Sequence, residues 1–290
     1  MRWTPGGESQ DIEDRRDEDS GDGGGGFQFG GMHIGIGGAL VLLVLSLIFK
    51  QNFFALLGGG TIRTGPAATT SRPNPARDAA EQPLVQFVSF VLDDTQKTWT
   101  EILPEQANRP YHHAKLVLFR NYTQSGCGSA ESATGPFYCP GDQKVYIDLG
   151  FYDELKQRFG APGEFAQAYV LAHEIGHHVQ NILGIERRVQ GNSHGANSAS
   201  VHLELQADCF AGIWANSANT RFHILENGDV EGGLKAASAV GDDTLEKENQ
   251  GYVVPDSFTH GTSAQRMRWF QRGLQDGTIA ACDTFSARAL

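Results

Sequence analysis

The chain has 290 residues, 40% of them apolar and 20% charged, enough for one or two folded domains with a sizeable core. Lys and Arg total 23 against 34 Asp and Glu, a net charge of −11, so no overall positive field draws in a phosphate backbone. A wholly disordered chain and a nucleic-acid binder are both poor fits.

The first 31 residues carry Arg2, Arg15 and Arg16 against Glu8, Asp11, Glu13, Asp14, Asp17, Glu18, Asp19 and Asp22, and end in a glycine run. That composition predicts a disordered acidic tail over 1–31. No formal charge occurs from 27 to 49, and 40–49 is almost wholly aliphatic. As a helix the uncharged stretch would reach roughly 34 Å, enough to cross a hydrocarbon core of about 30 Å, which predicts one transmembrane helix over 32–57. The acidic leader and the absence of a small-residue cleavage site argue against a secretory signal. Gly, Pro and Thr dominate the next stretch, giving a flexible linker over 58–80.

Basic residues flank the apolar run on both sides, so charge leaves its orientation almost tied. All four cysteines, Cys127, Cys139, Cys209 and Cys282, lie beyond it. An even count suits an exported, disulfide-bearing domain, which favours a single-pass protein with the acidic tail inside and 81–290 outside the cytoplasm. Cys127 and Cys139 could staple a short loop, and Cys209 and Cys282 remain as the other pair.

Within 81–290 the pattern predicts an α+β domain, mostly helical with a small sheet. Apolar residues from Leu84 to Trp99 fit an amphipathic helix, and Lys115–Phe119 reads as a strand. Extended runs at 137–138 and 145–149 flank Pro140-Gly141-Asp142, which predicts a hairpin. Helices are expected over 152–159, 162–183, 198–218, 230–240 and 263–274.

The chemistry concentrates at His173-Glu174-Ile175-Gly176-His177. Residues four apart share a helix face, so His173 and His177 present two imidazoles to one Zn²⁺, with Glu174 beside them as general base. A catalytic zinc keeps three protein ligands and one open position. Glu204, 27 residues beyond His177, supplies the third, and Asp208 one turn later accepts the remaining N–H of a ligating imidazole. A three-histidine set fails, because Gln180 and Leu183 stand where it needs Gly and His. His260 and Tyr252 are the candidates for stabilising the developing oxyanion, in a loop before a helix that Thr262 and Gln265 cap.

The sequence resembles the bacterial neutral zinc metallopeptidases anchored to the membrane by one N-terminal helix. The resemblance rests on Met1-Arg2-Trp3, Ile12-Glu13-Asp14-Arg15-Arg16, His173 to Gln180, Glu204-Leu205-Gln206-Ala207-Asp208-Cys209 and Phe258-Thr259-His260-Gly261-Thr262. It implies a zincin-like fold and peptidase activity on a peptide or protein substrate. The alternative is a non-catalytic zinc-binding scaffold or interaction protein at the membrane, which would have little use for Glu174.

Overall fold

Four strands form the main sheet: β1 (Ile12–Asp14), β2 (Lys115–Phe119), β6 (Lys144–Asp148) and β5 (Phe137–Cys139), in that spatial order. β1 and β6 run parallel to β2, and β5 runs antiparallel to β6. A separate hairpin pairs β3 (Tyr122–Ser125) with β4 (Gly128–Glu131). The computed structural model describes residues 1–18, 75–131, 135–157, 163–188 and 193–290. Among these, the seven α-helices are α1 (Pro75–Ala107), α2 (Gly150–Gln157), α3 (Glu164–Leu183), α4 (Ala199–Phe222), α5 (Asp229–Ala239), α6 (Asp242–Gln250) and α7 (Ser263–Asp276). The result is a mixed, mostly helical α+β structure with a small sheet.

Helix α3 is apolar almost all round, with Phe165, Ala168, Leu171, Ala172, Ile175 and Val179 buried, so it occupies the centre of the unit. Its neighbours are α1, α4 and α5. Helices α4 and α7 touch backbone to backbone, because a Cβ on Gly273 would collide with the Cys209 carbonyl oxygen. Trp214 on α4 donates to Asp94 on α1 at 2.8 Å, and Arg221 pairs with the same carboxylate at 2.6 Å. Both expected cysteine pairs are disulfides, Cys127–Cys139 and Cys209–Cys282.

The expected disordered tail is corrected over its first part. Met1–Glu18 forms one compact unit with Pro73–Leu290. The reason is that the acidic residues in and around β1 are paired with basic partners. Glu13 meets Lys144 and Arg15, Asp11 meets Lys115 and His113, and Asp14 meets Arg16. Buried Arg16 also reaches Glu81 at 2.8 Å, while Arg120 bridges Asp17, Asp78 and Glu81. The domain start is likewise earlier than 81, since α1 begins at Pro75, a residue whose fixed φ suits a first helical turn.

The apolar run 32–57 lies outside the described residues, and among the described residues no helix is long and apolar enough to cross a membrane. The pairing of β1 with β2 bears on topology all the same. A single crossing would put 1–18 and 75–290 on opposite faces, yet they share one sheet. Residues 1–18 and 75–290 therefore belong to one unit, with the apolar run between them in sequence.

Candidate metal centre

His173 and His177 sit one turn apart on α3, and their Nε2 atoms are 3.2 Å apart. Glu204 on α4 faces both, with Oε2 3.2 Å from His173 Nε2 and Oε1 3.4 Å from His177 Nε2. Four-coordinate zinc with bonds of about 2.0–2.1 Å spaces its ligand atoms by about 3.3–3.4 Å. The two imidazole nitrogens stand close to that spacing and each has a Glu204 oxygen within 3.4 Å, so the residues fit the ion. They form a His-His-Glu group able to hold a metal. Burial opposes a charged His173 ring, but the Asp208 and Glu204 carboxylates outweigh it and raise its pKa to about 10. Glu204 is held well below the usual carboxylate range by His177 and His173, against its own burial. A divalent cation would satisfy this charge in place of protons.

The far side of each imidazole is fixed as well. His173 Nδ1 lies 2.9 Å from Asp208 Oδ1, and His177 Nδ1 lies 2.9 Å from Gln180 Oε1. Both partners accept, which assigns the ring protons to Nδ1 and leaves each Nε2 lone pair for the metal. Gln180 is oriented in turn by donating to the Leu203 carbonyl at 2.7 Å and to Gln206 at 3.1 Å. Asp208 is fully buried, accepts from the Tyr169 hydroxyl, and is gripped by Arg266 through Nε at 2.8 Å and Nη2 at 2.9 Å.

This chain matches the family described as "Putative neutral zinc metallopeptidase" over residues 1–285. It belongs to that family. It is 46% identical over 292 residues to the uncharacterized protein YpfJ of Escherichia coli K12, covering 98% of this chain and 99% of the relative. It is 43% identical over 202 residues to the uncharacterized protein Rv2575 of Mycobacterium tuberculosis H37Rv, covering 66% and 67% respectively. No solved structure matches it. The neutral zinc metallopeptidase family implies Zn²⁺, and His173, His177 and Glu204 are the residues set to hold it.

A cleft of about 730 Å³ opens over these residues. Glu174 lines it with only 8% of its surface exposed, beside apolar walls that include Pro136, Phe151, Val170 and Leu245. His260 lines the same cleft, whereas Tyr252 does not and is 62% exposed, so the fold brings the first of the two oxyanion candidates to the cleft and not the second. The Thr262 and Gln265 capping box opens α7 as expected. His260 is carried by a loop whose backbone N–H groups at Thr259, His260 and Gly261 all donate to Asp242 Oδ2, at 2.8, 2.7 and 2.9 Å. Its ring Nδ1 lies 3.1 Å from Asp242 Oδ1, and that bond raises its pKa. Sequence reasoning missed Arg266, Tyr169, Gln180 and Asp242. Tyr169 precedes His173 by one helical turn and Gln180 follows His177 by three residues, so these two carried a readable spacing. Arg266 and Asp242 reach the site only through tertiary packing.

Proposed function

We propose that the protein is a zinc-dependent peptidase of zincin-like design that hydrolyses peptide bonds. The observation that carries this reading is the convergence of His173, His177 and Glu204 with Glu174 in one cleft. Zn²⁺ held by His173, His177 and Glu204 would supply Lewis acidity toward a scissile carbonyl and a water of pKa about 7. Glu174, in the same cleft, would take the proton of the attacking water and pass it to the leaving amine. His260, kept more cationic by Asp242, donates to the oxyanion that develops on the carbonyl. Among the described residues β5 pairs on one edge only, and Gly135 to Tyr138 line the cleft, so an extended peptide can align there by main-chain hydrogen bonds.

Attachment to the membrane through 32–57 is part of the proposal, supported by the uncharged sequence from 27 to 49. The two disulfides favour an oxidising compartment. Since β1 pairs with β2, Met1–Glu18 goes wherever Pro75 to Leu290 goes, and both flanks of the apolar run meet the same face of the membrane.

The test measures zinc content and cleavage of a random peptide library on detergent-purified full-length protein and on its Glu174→Gln variant. One zinc per chain in both, with turnover falling about 10²- to 10⁴-fold in the variant, is the expected result. Zinc without hydrolysis in either protein would leave the scaffold reading, and absence of zinc would overturn the metal site.

A further inference from the structure

We propose that Arg266 is a positioning residue for the metal site, holding Asp208 against the His173 ring and steering Glu204 from the opposite side. This rests on the reading of His173, His177 and Glu204 as metal ligands. Arg266 comes from α7, which contributes none of them.

The geometry is a fork closed on a buried carboxylate. Asp208 has no exposed surface, and Arg266 has 3%. Nε donates to Asp208 Oδ2 at 2.8 Å and Nη2 to Oδ1 at 2.9 Å, the two-pronged contact that only a guanidinium makes. His173 Nδ1 and the Tyr169 hydroxyl use the same Oδ1. Three donors converging on one oxygen fix where it lies, and with it the plane of the imidazole. Arg266 Nη2 also stands 3.9 Å from Glu204 Oε2, so one planar group touches both carboxylates of α4. Nη1 is anchored on the Val240 carbonyl at 3.3 Å.

A carboxylate buried without a cation is costly. Without the Arg266 fork, Asp208 is free to rotate away from His173 Nδ1, and that movement removes the acceptor that orients the ring. Helix packing alone would not require this fork. A long apolar side chain fills the same space, and Asp208 would then be the liability. The arginine is needed because the imidazole needs an acceptor held in one place behind it.

The experiment compares wild-type protein with Tyr169→Phe, Arg266→Lys, Arg266→Met, Asp208→Ala and the double variant Asp208→Ala/Arg266→Met. Each is read by thermal midpoint, zinc affinity in chelator competition, and the visible spectrum of the Co²⁺-loaded protein. Loss of an outer partner of a ligating histidine costs about 10- to 100-fold in metal affinity. Arg266→Met falls in that range with an altered cobalt spectrum, and Arg266→Lys recovers part of it by restoring charge without the fork. Tyr169→Phe, which deletes one hydroxyl, keeps the fold measurable if Arg266→Met does not. In the Asp208→Ala background the arginine substitution adds little, because its effect runs through Asp208. Folded Arg266 variants with wild-type zinc affinity and cobalt spectrum would overturn the proposal, as would losses that add in full in the double variant. Wild-type protein that binds no zinc would instead overturn the metal-site reading beneath it.

Discussion

Gly176 lies directly against Ala207: a Cβ on Gly176 would come within 3.0 Å of the Ala207 carbonyl oxygen and 3.3 Å of Phe210 Cβ. That close approach of α3 to α4 lets a glutamate side chain reach both histidines. The glycine inside the His-Glu-Ile-Gly-His run is therefore a spacing element for the third ligand. Gly176→Val should force the helices apart, with an overpacking cost of about 1–3 kcal/mol. Chemical denaturation and chelator competition check this, and zinc affinity should fall together with stability. A stable variant that has lost zinc affinity would mean the helices moved without unfolding.

Glu204 and Gln180 should separate in a substitution series. Glu204→Ala removes a ligand and should strip zinc through dialysis. Gln180→Leu removes no ligand but takes away the His177 acceptor and the donations to Leu203 and Gln206, so about 10- to 100-fold weaker binding is expected. Equilibrium competition with a fluorescent zinc chelator distinguishes the two.

Acid should loosen the His260 loop through Asp242. Burial works against its charge, but His260 and the backbone N–H groups of the loop win and hold its pKa below the ordinary value. A carboxyl depressed in the folded state contributes stability fully present above its unfolded pKa of about 3.9, and lost as pH falls through the folded value. Thermal midpoints measured from pH 7 downward should drop more steeply for wild type than for Asp242→Asn in the acid range. At neutral pH the variant should already be the less stable of the two.

The two disulfides should contribute unequally. Cys209–Cys282 closes a separation of 73 residues and Cys127–Cys139 one of 12. Chain-entropy reasoning gives the longer loop the larger share, within about 2–5 kcal/mol for either. Denaturant midpoints of the paired Cys209→Ala/Cys282→Ala and Cys127→Ala/Cys139→Ala variants rank them.

The sequence announced elements whose chemistry is local. Lys115–Phe119 is legible because four consecutive apolar residues come after a lysine, and all four are buried. His173, His177 and Glu174 were legible because helix periodicity alone puts them together. Ile12–Asp14 was not, since its two acidic residues look solvated until Lys144 arrives from the fold and Arg15 and Arg16 turn back onto them. Helix α6, Asp-Asp-Thr-Leu-Glu-Lys-Glu-Asn-Gln, offers almost no apolar stripe, and its role is to bring Asp242 beneath the loop of His260. Arg266 is invisible for another reason. Nothing near position 266 hints that a carboxylate 58 residues earlier will close on it.

The Arg120 guanidinium, which touches Asp17 with one nitrogen and Asp78 with another, has a practical consequence for preparing the protein. Residues 17 and 78 are held within reach of one side chain, so a short bridge can join the described residues on either side of 19–74. Replacing 19–74 by a short Gly/Ser bridge should give a detergent-free protein that retains β1 and its zinc. Cutting away everything before Pro75 should do worse. It strips the strand from the edge of β2, leaves a row of unpaired main-chain groups open to aggregation, and abandons Arg120 and Glu81 without half their partners.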